Sequence, residues 1–74
     1  MKGSDELTSY EKYKQLRAAH NLRDADVSRG TGVSAATLSS WSKMGQPGGY
    51  EPKIEKRQRV ANFFGVPLGA LIGD

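Results

Sequence analysis

The chain has no cysteine and a single histidine, His20, which excludes disulfides and thiolate metal sites and leaves too few imidazoles for a zinc centre. The fold must stand on side-chain packing. Long apolar runs are also missing. Nothing approaches the roughly 20 residues of a membrane span, and the opening MKGSDELTSY lacks the apolar stretch of a signal peptide, so a cytoplasmic protein with no membrane partner is expected. No internal repeat and no strand-like alternation occurs. The glycines do not fall at the spacing of a phosphate-binding loop. Hydroxyls are present without partners that would make them nucleophiles: Ser34 stands beside no base, and Ser39 and Ser40 have no histidine or lysine arranged to activate them. Glu51 and Glu55, at i and i+4, read as a solvated helix-start feature rather than an acid-base pair. No catalytic activity, no metal and no cofactor are expected.

What remains is a chain of 74 residues, enough for one small domain. The formal charge of +3 and the pI near 9.5 suit a polyanionic partner, but a charge this small does not identify one by itself. Its distribution says more. Asp5 and Glu6 lie in the leading segment, whereas Lys43, Lys53, Lys56, Arg57 and Arg59 fall in the carboxyl half. Residues 1–7 read as a flexible arm, because Gly3 and Ser4 disfavour order and Leu7 is the only large apolar residue apart from Met1; residues 8–74 read as the folded domain.

Helical spacing organises that domain. Thr8 or Ser9 can cap a first helix running to about Ala19, with Glu11 in its first turn and Tyr10, Tyr13 and Leu16 on one side. Asn21 then serves as a left-handed terminator, and Leu22 returns the chain to the core. A second helix is expected over about Asp24 to Gly30 with Asp24 as its cap, and a third from Ala35 to about Lys43 with Leu38 and Trp41 inward. Trp41 reads as a core wedge rather than a base-stacking residue. Met44 to Tyr50 carries Gly45, Pro47, Gly48 and Gly49 and must be an irregular loop. Pro52 suits the first turn of a fourth helix in which Ile54, Val60, Ala61 and Phe64 recur at helical spacing; Gly65 ends it, and Pro67 opens a short fifth helix through Ile72. The fold class is therefore all-α, a compact five-helix bundle.

The second and third helices meet at Gly32-Val33-Ser34. Gly32 fits a positive φ just past a helix end, Val33 is an apolar plug, and Ser34 can cap the helix that follows. With Leu22, Val27 and Leu38, this joint makes a helix-turn-helix. Asn21 to Trp41, followed by Pro52-Lys53-Ile54-Glu55, Ala61 to Val66 and Leu71-Ile72-Gly73, resembles the phage repressor and Cro-like helix-turn-helix DNA-binding family of the XRE type, over about residues 10 to 73. The resemblance implies a lambda-repressor-like domain that binds double-stranded DNA as a transcriptional repressor or regulator, from a phage or phage-like element. It implies two copies on a pseudo-palindromic operator, with Phe63, Leu68 and Leu71 as candidates for the contact between them.

Carried over by position, the base-reading residues are Ala35, Ala36, Ser39, Ser40 and Lys43, and the phosphate-binding residues are Arg23, Arg29, Thr37, Tyr50, Lys53 and Lys56. Tyr50 is equally placed to cover the core, and Lys53 and Lys56 are equally readable as soluble surface. The sequence departs from the family's pattern at several of these places. Arg23 and Asp24 stand where the family has threonine and glutamine, and Asp24 would repel a phosphate. Arg57 replaces a core leucine, which either loosens the bundle or marks a local salt bridge. Ala35 and Ala36 cannot make the bidentate bonds that distinguish guanine or adenine, each worth about 1 to 3 kcal/mol, but they can touch thymine methyls. Modest base discrimination and a large phosphate share are expected. The rival reading is a protein-interaction module, an antitoxin or adaptor whose helix-turn-helix has lost its DNA contacts; Ala35, Ala36 and Asp24 favour it, while the pI and the well-formed turn oppose it.

Overall fold

The computed structural model describes residues 7–72. The expected arm, apart from Leu7, and the expected stop at Gly73 lie outside the described residues. Four α-helices follow one another: α1 (Ser9–Ala19), α2 (Asp24–Thr31), α3 (Ala35–Ser42) and α4 (Ile54–Phe64), closed by a 3-10 turn at Leu68–Leu71. Among the described residues there is no strand, and no helix is long and apolar enough to cross a membrane. The count of five helices is thus corrected to four and a 3-10 turn. The segment Leu68-Gly69-Ala70-Leu71 between Pro67 and Ile72 is too short to sustain the i to i+4 pattern and closes with tighter bonds instead.

Local chemistry explains the boundaries. Thr8 is the cap of α1: its hydroxyl accepts from the Glu11 amide at 3.1 Å, and the Glu11 carboxylate accepts from the Thr8 amide at 2.9 Å, a reciprocal capping box. Asn21 takes a φ of 57° and ends the turn after α1. At the other joint Gly32 adopts a φ of 79° and donates its amide to the Ser28 carbonyl. A side chain at that φ would be strained. Thr31 secures the same corner, donating its hydroxyl to the Val27 carbonyl and accepting from the Val33 amide. Ser34 caps α3 through the Thr37 amide at 3.1 Å.

The expected cap of α2 is displaced by one residue. Arg23 holds the capping position, and Asp26 accepts from the Arg23 amide at 3.0 Å; Asp24 is already helical, and its carboxylate is drawn inward by partners on α1. Pro52 likewise sits ahead of α4 rather than in it, buried, with Lys53 at the cap. Glu51 therefore belongs to the loop, not to a helix-start pair with Glu55.

Tyr13, Val27, Val33, Leu38, Trp41, Val60, Ala61, Phe64 and Leu71 form the core. Tyr13 stacks on Trp41 with ring centroids 4.8 Å apart, and Tyr10 meets the same indole edge-on at 6.1 Å. The helix α2 packs against both α3 and α4, and the closing turn packs against α1 and α4. Ile54 is corrected from core to surface. It lies at the first turn of α4, past the end of the packed centre, and is 56% exposed.

The inner row of α4 is completed instead by Arg57, which is 8% exposed. Its Nε donates to the Pro52 carbonyl at 2.9 Å and its Nη1 to the Leu71 carbonyl at 3.2 Å, with the Glu51 carboxylate 3.4 Å away. Of the two readings of Arg57, the local salt bridge is the one realised. Glu51 also accepts from the buried Ser9 hydroxyl, which itself accepts from the Trp41 indole N–H at 2.9 Å. A polar chain thus runs from the Trp41 ring edge to the closing turn.

Removing the middle of that chain leaves the Trp41 N–H buried without an acceptor. Ser9→Ala is expected to lower stability by about 1 to 3 kcal/mol, read as a shift in urea midpoint at unchanged slope. The same change in a Trp41→Phe background should cost much less, because no donor is then orphaned.

Candidate nucleic-acid interface

The candidate surface begins with α3. Its inner side is fixed by Leu38 and Trp41, both fully buried. Ala35, Ala36, Ser39 and Lys43 lie exposed on the other side, and Ser40 is half-buried. Lys43 is the cap residue just past the last helical position, Ser42. Of the base-reading set, four therefore share an open face, and Ser40 sits at its margin beneath the loop.

The loop from Met44 to Tyr50 is attached to this helix. The Tyr50 amide donates to the Ser40 carbonyl at 3.1 Å. Gly49 passes so close that a Cβ there would lie 1.9 Å from the Lys43 carbonyl oxygen. That approach is possible for glycine alone. Tyr50 is 50% exposed and its hydroxyl lies 3.4 Å from that of Thr37; the reading in which Tyr50 covers the core is not the one realised.

Thr37, Tyr50, Lys53 and Lys56 then line one groove of about 390 Å³ between the start of α3 and the start of α4. These four members of the phosphate set are brought together. Glu51 and Glu55 open on the same groove, so its two lysines face two carboxylates, of which Glu51 is already paired with Arg57. The other two members stand on α2. Arg23 is exposed at its cap, while Arg29 is paired with Asp26 at 2.6 Å, an exposed i, i+3 pair of small net value.

Asp24 does not face outward as a bare charge. Its Oδ1 accepts from the Tyr13 hydroxyl at 2.7 Å and from the Arg17 guanidinium, which also lies over the Tyr13 ring at 5.5 Å. This cluster ties α1 to the start of α2 and neutralises the carboxylate. Sequence reasoning assigned no role to Arg17. The signal was available in its i, i+4 spacing from Tyr13, but its partner lies across a turn. Likewise Ser9 and Glu51, which hold the end of α3 through Trp41, carry no motif.

Among the described residues, no group of three or more His, Cys, Asp or Glu side chains is placed to hold a metal ion. Phe63 is 39% exposed against Gly30, and Leu68 is half-buried, whereas Leu71 is fully buried. Leu71 is thereby removed from the candidates for a contact between copies, since it is spent on the core.

Two relatives carry names. The chain is 33% identical over 63 residues to the cryptic phage CTXphi transcriptional repressor RstR of Vibrio cholerae, across 85% of this chain and 53% of that protein. It is 37% identical over 57 residues to the uncharacterized HTH-type transcriptional regulator MJ0272 of Methanocaldococcus jannaschii, across 77% of this chain and 80% of that protein. The chain thus spans about half the length of the Vibrio relative. No family model and no solved structure matches it.

The Tyr13 cluster has a consequence in alkaline solution. Burial, then the hydrogen bond and charge of Asp24, push the Tyr13 pKa well above its ordinary value of 10.0. In the unfolded chain Tyr13 ionises near that ordinary value, so above it the unfolded state binds fewer protons than the folded one and stability falls as pH rises. Stability is expected to be level in this respect below pH 10.0 and to decline above it by up to about 1.4 kcal/mol per pH unit. Urea titrations across that range, with Tyr13→Phe showing a shallower decline, check the assignment.

Proposed function

The chain belongs to the HTH-type transcriptional regulators, and from that premise we propose that it binds double-stranded DNA sequence-specifically as a repressor, with α3 in the major groove. The observation that carries this reading is the division of α3: Leu38 and Trp41 are fully buried on one side, and Ala35, Ala36, Ser39 and Lys43 are open on the other. The adjoining groove with Tyr50, Lys53 and Lys56 supports a phosphate path alongside it. Arg23 adds a cation at the cap of α2. Arg29 contributes less, because Asp26 shares its charge.

The phage repressor named among the relatives supports the same setting for this chain, within the Cro-like, XRE-type branch. Two copies on a pseudo-palindromic operator, with half-sites about one helical turn apart, would supply the affinity that one small domain lacks. Of the three candidates for that contact, Phe63 and Leu68 remain. The rival protein-interaction reading loses one of its three supports, since Asp24 is neutralised by Tyr13 and Arg17 rather than set against the DNA backbone.

Selection of bound sequences from random DNA at two salt concentrations tests the proposal. An enriched palindrome is expected, and log K should fall with log salt at a slope near −4 to −5 for about five phosphates. No enrichment and no salt dependence would sink the DNA reading. Lys53→Ala and Lys56→Ala should each reduce the slope by about 0.9 and weaken binding to all sequences alike. A changed consensus in either variant would show that the lysine reads bases instead.

A further inference from the structure

The first turn of α3 has spent its hydroxyls. Ser34 Oγ accepts from the Thr37 amide and donates to Thr37 Oγ1 at 2.9 Å, and Thr37 Oγ1 lies 3.4 Å from the Tyr50 hydroxyl. Farther along, Ser42 Oγ is turned back to the Ser39 carbonyl. The two residues that open the helix, Ala35 and Ala36, are exposed and end in a methyl group. Among the described residues, only Ser39 and Ser40 of this helix keep hydroxyls without a protein partner, and they lie one turn deeper. The leading edge of α3 therefore offers carbon where a reading helix commonly offers donors.

In a major groove the residues at the amino end of the reading helix meet base edges. The one apolar group displayed there is the C5 methyl of thymine. Resting on the DNA-binding reading above, we infer that Ala35 and Ala36 are specificity-determining residues that recognise C5-methylated pyrimidines by methyl-to-methyl contact. Adenine and guanine are not read directly at those steps. They are selected as the partners of the pyrimidines. Because 5-methylcytosine carries its methyl at the same ring position as thymine, the contact should favour both over unmethylated cytosine and uracil. Operator binding would then respond to cytosine methylation at these steps.

The test starts from the selected operator. Each thymine in one half-site is replaced in turn by deoxyuridine, which removes the methyl and keeps every hydrogen-bonding group, and Kd is measured by fluorescence anisotropy with the full chain. One or two positions are expected to weaken binding about three- to five-fold each, the worth of a buried methyl. At the same positions 5-methylcytosine should bind about three- to five-fold better than cytosine. The uracil penalty should vanish in Ala35→Gly or Ala36→Gly at the position each contacts, read as a difference between two DNAs so that any loss of helix stability cancels. Selective operator binding with uracil tolerated everywhere within two-fold would overturn the methyl inference and leave the DNA reading intact. A penalty that persists unchanged in both glycine variants would overturn the assignment to these residues. Failure to select any DNA sequence would overturn both.

Discussion

The indole of Trp41 sets the terms for the whole bundle. It is fully buried beside Tyr13, which makes it the largest apolar contribution to a small core, yet one edge carries an N–H that cannot be left without an acceptor. Ser9 meets that need at the very start of α1. The hydroxyl in turn needs an acceptor, and Glu51 supplies it from the loop; the carboxylate needs a counter-charge, and Arg57 supplies it from α4. Arg57 finally ties down the Pro52 and Leu71 carbonyls. One tryptophan thus obliges four segments of the chain to meet. A leucine at the Arg57 position would fill the space but would leave Glu51 without its counter-charge and two carbonyls without their donor.

A second polar cluster does the corresponding work at the opposite joint. Tyr13 faces Trp41 with its ring and Asp24 with its hydroxyl. Through Arg17 and Asp24 it fixes the start of α2, and through the stacked rings it fixes α3. Both clusters are satisfied: among the described residues no buried side-chain nitrogen or oxygen lacks a partner. That matters in a chain without disulfides, because a half-satisfied network would cost more than an apolar one.

Which parts were legible follows from the range of the interactions. Thr8, Asn21, Gly32, Ser34 and Gly65 act on backbone groups within a few residues of themselves, and each was readable from residue type and position. Leu38 and Trp41 followed from helical spacing. Ser9 and Trp41 are 32 residues apart, and Ser9 and Glu51 are 42 apart. No local pattern announces such pairs, so Glu51 reads as solvated, and the salt bridge of Arg57 is one of two readings with no partner named. The error at Ile54 has a related cause. Periodicity identifies the side of a helix that faces the core but not where along the helix the core ends. At the candidate interface the exposure of Ala35, Ala36, Ser39 and Lys43 follows from helical spacing, whereas the state of the neighbouring hydroxyls, and the neutralisation of Asp24, required the fold.

These constraints bear on how α3 can act. A long side chain such as glutamine or arginine reaches for its partner and tolerates some misplacement of the helix that carries it. A methyl group cannot, since contact between carbons loses a large share of its attraction within an ångström. A helix that reads through Ala35 and Ala36 therefore needs its backbone held in place. The fold does this at both ends. Gly32, Thr31 and Ser34 fix the amino end, and the Trp41 to Ser9 bond, with the Tyr50 amide on the Ser40 carbonyl, fixes the carboxyl end. Gly49 lets the loop lie close enough for that last bond to form. The loop, irregular in sequence, is thus a brace for α3, and on the proposed DNA-binding reading small side chains on the open face can serve because the helix beneath them is held at both ends.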